Sequence, residues 1–505
     1  MAAEPTPAQH APDVESREPE RQALKAVPDA PSPDAVDDPR PSERRRKPAN
    51  TEAREQARER QRRRLALAMI ECVSQDGYGA TRVADVIAQA GVSRKTFYEL
   101  FANKEECLLA TYDLISDEAM RRVEVAYRDA EGWPGRVESA IGALFEAALA
   151  NPGALRLSLI EIAAVGPAGI ERRERSIERF ENVIRDGLEL APGAGTVSDV
   201  TLKAVVGGLS RVLYRRVARM DDEELRASVP DLAKWATSYY PTPSSLLEEP
   251  LPLSNRRRAA IRVQGGRAPG TLAPHSLLGG RRGLPRGDQN VSKSFVVQNQ
   301  RARILDAVTN LTARDGYAAL KVEGIAEQAA VSLVAFYEHF ADKEDAFLVA
   351  YEVGHGKALA AVERAYVAES DWRLAVRAGI DALFGFLASE PSFAHIALVD
   401  GLVATPHTAE RSNEGVSAFA QMLVPGLEQT RGYTPAAIAV EAIAGGIFDL
   451  CLHYALAGKI RELPELVPSA TYVALAPFLG GEEAAGVATG QMRARREPAS
   501  TPGGA

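Results

Sequence analysis

Apolar positions recur at helical spacing along most of this chain. Between Thr81 and Phe101, Val83, Val86, Ile87 and Ala90 mark one short amphipathic helix; Gly91-Val92-Ser93 interrupts it, and Phe97, Leu100 and Phe101 resume the pattern. Thr81 is placed to cap the first of these helices and Ser93 the second, each offering an oxygen to unpaired N–H groups. Gly91 suits a left-handed turn residue. Two short helices at a tight turn make a helix-turn-helix, whose second helix can enter the DNA major groove. Upstream, Leu65, Ala68, Met69, Cys72 and Val73 predict a helix over about 58–75, ended by Asp76-Gly77. Downstream, Lys104-Glu105 opens a helix to about 127.

The helical pattern continues beyond that point. Ile141, Leu144, Phe145, Ala148 and Leu149 form an apolar face, and 155–164 reads as a buried segment. Residues 171–190 alternate charge with Ile177, Phe180, Val183, Ile184 and Leu188. Residues 200–220 carry an apolar stripe beside Gly207-Gly208, a pair that costs about 1 kcal/mol per glycine relative to alanine and so implies close helix packing.

The chain then begins again. Gly316-Tyr317 lies 239 residues after Gly77-Tyr78, and the same offset pairs Val92-Ser93 with Val331-Ser332 and Phe97-Tyr98 with Phe336-Tyr337. It also pairs Lys104-Glu105 with Lys343-Glu344 and Trp133 with Trp372. Near the end it drops by one, matching Gly207-Gly208 to Gly445-Gly446. A complete unit has been duplicated in tandem.

Gly77-Tyr78, Val92-Ser93, Thr96-Phe97-Tyr98, Phe101 and Asn103-Lys104-Glu105, followed by a long helical region, resemble the TetR/AcrR family of bacterial transcriptional regulators. The resemblance implies an all-α fold of two tandem units, each a three-helix helix-turn-helix domain followed by a helical regulatory and dimerisation domain. It implies double-stranded operator DNA as partner and a small, apolar effector that releases it by shifting the helix over 104–127. The lysine matching Lys104 would contact a phosphate, and helices near 198–220 and 230–240 would form a four-helix dimer bundle. The resulting division is a disordered, acidic then basic arm over 1–57, a helix-turn-helix domain over 58–112 and a regulatory domain over 113–240. A flexible basic linker follows over 241–294, then the second pair of domains over 295–351 and 352–480, and a disordered tail over 481–505.

DNA contact is expected from Thr81, Arg82, Ser93, Arg94, Lys95, Thr96, Tyr98 and Lys104, and in the second copy from Lys321, Ser332, Leu333, Val334, Ala335, Tyr337, His339 and Lys343. The copies differ where it matters. Leu333, Val334 and Ala335 stand in place of Arg94, Lys95 and Thr96, so three donors have become apolar. Leu320 replaces Thr81, and Ala330 replaces Gly91, a poor exchange if the backbone there has positive φ. The second motif can still sit on phosphates and touch thymine methyls, but the first should carry most base readout. The alternative is a ligand-sensing or interaction protein whose second DNA-binding domain is vestigial.

Composition changes this picture little. The net charge of −8 gives no general affinity for nucleic acid, so contact rests on local charge, including the arginine-rich stretch 44–64, which is either a solvated charge run or an arm along DNA. Three scattered cysteines fit neither a disulfide framework nor a zinc site and agree with a reducing cytoplasm, which the resemblance implies is bacterial. The apolar run 436–457 has the length of a membrane span, but Glu441, Asp449 and His453 within it argue for a buried soluble helix. No nucleophile elbow, P-loop or metal-ligand spacing is present, so no enzyme, cofactor or metal is expected. Trp133, Phe145, Leu149, Trp372, Phe384, His395 and His453 are candidates for a ligand pocket, with core packing as the competing role.

Two recognition helices must reach half-sites about 34 Å apart. A flexible linker of about 50 residues spans roughly 35–42 Å. Pairing of the two copies within one chain is therefore expected, with a homodimer of like halves as the alternative.

Overall fold

The computed structural model of the chain describes residues 49–189, 197–217, 222–246, 293–430 and 435–491. Among these residues every regular element is helical. Most of the arm, the linker stretch 247–292 and the end of the tail lie outside the described residues.

Helix α1 (Ala49–Ala80) begins inside the stretch expected to be disordered and is interrupted at Gly77, whose φ of 76° lies in the region that favours glycine. The helix-turn-helix follows as α2 (Val83–Ala90) and α3 (Arg94–Leu100). Leu65, Met69, Val73, Val86, Phe97 and Leu100 meet in a small core of their own. That core absorbs the apolar faces of α1, α2 and α3, of which the last two are too short to be stable singly.

Next come α4 (Lys104–Asp129), α5 (Trp133–Ala150) and α6 (Pro152–Arg156). The segment expected to continue as one buried helix instead tightens and loosens, through a π-helical turn at Leu157–Glu161 and a 3-10 turn at Ala163–Val165. Then α7 (Pro167–Glu189), α8 (Asp199–Arg216), α9 (Asp222–Ala227) and α10 (Val229–Thr237) complete the first unit.

The second unit repeats this order. Helices α11 (Lys293–Asp315), α12 (Val322–Ala329) and α13 (Leu333–His339) form its helix-turn-helix domain around a separate core containing Ile304, Val308, Ile325 and Phe336. Helices α14 (Lys343–Val367), α15 (Trp372–Ser389), α16 (Pro391–His395), α17 (Gly401–Val403) and α18 (Pro406–Leu423) follow. A π-helical turn, Ile396–Asp400, recurs at the matching place. The unit ends in α19 (Ala437–Leu456), α20 (Val467–Leu479) and α21 (Gly481–Ala488).

Two expectations need correcting here. The tail was expected to be disordered from 481, yet Ala484, Ala485, Val487 and Ala488 of α21 are buried, and Arg373 Nη1 donates to Glu483 Oε1 at 2.8 Å. The linker was expected to start at 241, yet Thr242 and Leu246 are buried and Leu246 joins the main core.

That core runs without a break through both regulatory halves, placing Val205, Leu209 and Val212 beside Ile443, Ile447 and Leu450. At its centre α8 crosses α19, with α10 and α20 alongside. The crossing is close because both helices carry paired glycines. A Cβ on Gly208 would lie 2.3 Å from the Ala442 carbonyl oxygen, and one on Gly446 would lie 2.4 Å from that of Ala204. The near equality of the two distances reflects a pseudo-two-fold relation between the halves. Tyr239 ties the ends of the bundle, donating to the Val473 carbonyl at 2.9 Å while its own carbonyl accepts from Tyr472 at 3.2 Å. Helix α19 is long and apolar enough to cross a membrane, and 83% of its apolar window is buried inside the protein.

Candidate nucleic-acid interface

The first motif turns at Gly91, whose φ of 59° and ψ of 42° are left-handed, and Arg64 Nη2 donates to its carbonyl at 3.1 Å. Ser93 caps α3, its Oγ accepting from the Thr96 N–H at 3.0 Å. With Phe97 and Leu100 buried, the opposite face of α3 is presented outward. Arg94, Lys95 and Tyr98 are exposed on it and Thr96 is half-buried. Arg94 lies over the Tyr98 ring at 5.7 Å, and Lys95 pairs with an exposed Glu99 at 3.7 Å. A single exposed pair of that kind holds its lysine by less than about 1 kcal/mol, so Lys95 is free to exchange Glu99 for a phosphate or base. Arg82, at the start of α2, is exposed and paired to Asp85 at 3.2 Å.

Thr81 does not cap α2 as expected, and Lys104 is bonded within the domain. Thr81 is 2% exposed and donates to the Gly77 carbonyl at 2.8 Å; the N-cap of α2 is Arg82, whose N–H is met by Asp85. Lys104 Nζ donates to the Tyr78 and Thr81 carbonyls at 2.7 and 2.8 Å and lies 4.1 Å from the centre of the Tyr78 ring. Burial lowers its pKa. Its ammonium thus closes the Gly77 break. Lys343 repeats this on Leu320 at 3.0 Å and Tyr317 at 3.5 Å. Leu320 is buried at the position of Thr81, which explains why a leucine is tolerated there.

In the second motif Ser332 caps α13 through the Ala335 N–H at 3.0 Å. Leu333, Val334 and Tyr337 are exposed by 44%, 70% and 57%, so the apolar replacements remain on the outward face. Ala335 is half-buried, Lys321 is exposed, and His339 is half-buried near Gln300 Oε1 at 3.5 Å. Burial, then Arg301, lowers the His339 pKa.

Ala330 holds φ 52° and ψ 49°, the same left-handed turn as Gly91. An L-residue there costs about 1–2 kcal/mol. Ala330→Gly is therefore expected to leave stability unchanged or raise it by up to about 1 kcal/mol, and Gly91→Ala to lower it by about 1–2 kcal/mol. Urea melts of the two variants check this.

Each π-helical turn ends in a buried carboxylate that reaches a helix-turn-helix domain. Glu161 Oε2 accepts from the Tyr78 N–H at 2.9 Å, and Asp400 Oδ1 from the Tyr317 N–H at 3.2 Å. Arg156 steadies the first at 3.1 Å and His395 the second at 3.0 Å. Sequence reasoning missed both carboxylates; their shared spacing from the Gly-Tyr pairs was the available signal.

In the second unit, α14, α15, α18 and α19, with the turn at Ile396–Asp400, line a half-open cavity of about 130 Å³. Phe393, Phe419, Met422 and Phe448 make it apolar, and Tyr351, His355 and Ser412 give it a polar edge. Burial pushes the His355 pKa down. At the matching positions of the first unit, Arg173 replaces Ser412, and Ser116 and Ser176 replace His355 and Gly415 and bond each other at 2.5 Å.

The seven expected pocket residues do not line this cavity. Phe145 and Phe384 are fully buried in the core, against which Leu149 packs, and Trp133 meets Tyr240 with ring centres 5.3 Å apart at a tilt of 49°. Trp372 donates to the Met422 carbonyl at 2.8 Å. His395 and His453 are engaged with Asp400 and Glu174. These side chains fill the core, while the cavity opens elsewhere, between α14, α15, α18 and α19.

Comparison with known proteins agrees with the two motifs. The family described as bacterial regulatory proteins, tetR family, matches residues 68–111 and again 304–350. The HTH-type transcriptional regulator CymR of Pseudomonas putida is 29% identical over 123 residues, covering 24% of this chain. The chain spans 61% of the length of that curated relative. Among solved structures, the fatty acid degradation regulator FadR from Bacillus halodurans aligns with 17% identity and a TM-score of 0.31, covering 34% of this chain and 93% of its own. A TetR family transcription regulator from Marinobacter aquaeolei VT8 aligns with 21% identity and a TM-score of 0.31, covering 35% and 96%.

Proposed function

Because the chain carries two tetR-type regulator units in tandem, we propose that it is a transcriptional repressor in which the units pair within one chain and divide the work. The first unit reads bases; the second senses a small apolar ligand. One observation carries this reading: exposed donors lie on α3, exposed apolar side chains replace them on α13, and the cavity lies in the α13 half. The operator would have unequal half-sites, one read by hydrogen bonds from Arg94 and Lys95, the other held through phosphates and thymine methyls.

The cavity suits an apolar molecule about the size of a single ring, since an apolar void of roughly 150 Å³ takes benzene. Its walls supply the coupling. Ala397 and Leu398 belong to the turn whose Asp400 holds Tyr317, and Ala444, Ile447 and Phe448 belong to α19, which crosses α8. A ligand that prefers one arrangement of these walls shifts the population toward it and changes the spacing of the recognition helices.

The test is fluorescence anisotropy on the chain's own upstream DNA with a panel of small lipophilic compounds. At least one compound is expected to weaken binding. Ala397→Phe, which fills the cavity from its own wall, should abolish that response. A response that survives this substitution would place the sensor elsewhere.

A further inference from the structure

We propose that charges of opposite sign at matching positions of α8 and α19 make each half a partner for the other kind of half and not for a second copy of itself. This rests on the reading that the halves pair within one chain. With the two glycine pairs aligned, Lys203 and Arg211 of α8 fall at the positions of Glu441 and Asp449 of α19. All four are under 9% exposed.

The contacts across the crossing use this inversion. Arg173 Nη2 reaches Asp449 Oδ1 at 2.7 Å. At the pseudosymmetric corner Ser412 stands in place of Arg173, and Arg211, standing in place of Asp449, donates to Ser412 Oγ at 3.1 Å and Asn413 Oδ1 at 3.0 Å. The backbones meet these two side chains alike: a Cβ on Gly207 would lie 2.5 Å from Asp449 Cβ, and one on Gly445 2.7 Å from Arg211 Cβ. Glu441 binds Arg215 at 3.2 Å and also Arg216, while His453 Nδ1 lies 2.8 Å from Glu174 Oε2. Burial would raise the Glu174 pKa, yet His453, Lys203 and Arg173 hold it down at about 2.

Pairing of like halves destroys this pattern. Two first halves would set Arg173 against Arg211, and Arg215 and Arg216 against Lys203, with little water to screen them. Two second halves would bury Asp449 opposite Ser412 with no arginine for either Asp449 or Glu441. Apolar surface and glycines are common to both halves, so they cannot discriminate; the charges can.

The experiment compares full-length wild type with Asp449→Arg and with Arg173→Ser/Asp449→Arg, by thermal melting and light scattering. The single variant adds a guanidinium beside Arg173 and Arg211 and should melt about 5 °C lower. The double variant removes Arg173 and recreates at this corner the arginine–serine contact of the other; it should recover at least half of that loss. A double variant as unstable as the single one would overturn the charge rule while leaving intrachain pairing standing. A wild-type mass near twice 54 kDa would instead overturn the pairing on which the rule rests.

Discussion

A valine in place of Gly208 or Gly446 is expected to drive the two halves of the chain apart. Each new Cβ would fall within 2.4 Å of a carbonyl oxygen on the opposite helix, and backbone atoms in a packed bundle cannot step aside as a side chain can. Overpacking of a core site costs about 1–3 kcal/mol when neighbours can adjust. Here the crossing itself must open, so a loss of about 3 kcal/mol or more is expected, read as a lower urea midpoint and a larger hydrodynamic radius. Gly356→Ala and Gly385→Ala provide the control. Both glycines lie within helices with nothing within 4 Å of a built Cβ, so each should gain up to about 1 kcal/mol. Equal effects at Gly385 and Gly446 would mean that helix propensity, not close approach, governs the glycine pairs.

Alanine at both Arg94 and Lys95 is expected to cost the most in DNA affinity. Each good base contact is worth about 1–3 kcal/mol, so the pair could remove a factor of roughly 30 to 10⁴ in binding. Leu333→Ala and Val334→Ala trim apolar surface that at most touches thymine methyls, and should cost about 1 kcal/mol or less. Anisotropy titrations on the same duplex compare them, and equal losses from the two motifs would defeat the division of labour. Lys343→Ala belongs in a different experiment. Its ammonium is spent on the Leu320 and Tyr317 carbonyls, so its removal should lower the melting point of the second motif more than the salt dependence of binding.

Much of the fold was legible because its cues are local. The glycine at the first left-handed turn, the serine at each α3-type cap and the apolar spacing around them depend on neighbours in sequence. The glycine pairs also announced close packing. What they packed against was set by contacts between residues more than two hundred positions apart. The sensing cavity was misread for a related reason. Aromatic residues such as Trp372 and Phe384 drew attention by size, yet size is what buries them, and the void forms beside Gly415, Ala397 and Ala444. Helix α21 looked like a low-complexity tail because its alanines carry little apolar signal; burial against α20 and α15 gives them their role. The sign inversion between Lys203 and Glu441, and between Arg211 and Asp449, lay open in the repeat alignment. Its meaning needed the crossing.

Light scattering of the full chain at micromolar concentration tests the central claim, that the two units pair within one chain, most directly. A single species near 54 kDa that binds one operator duplex without gaining a second chain is expected. A species near twice that mass, on or off DNA, would contradict it.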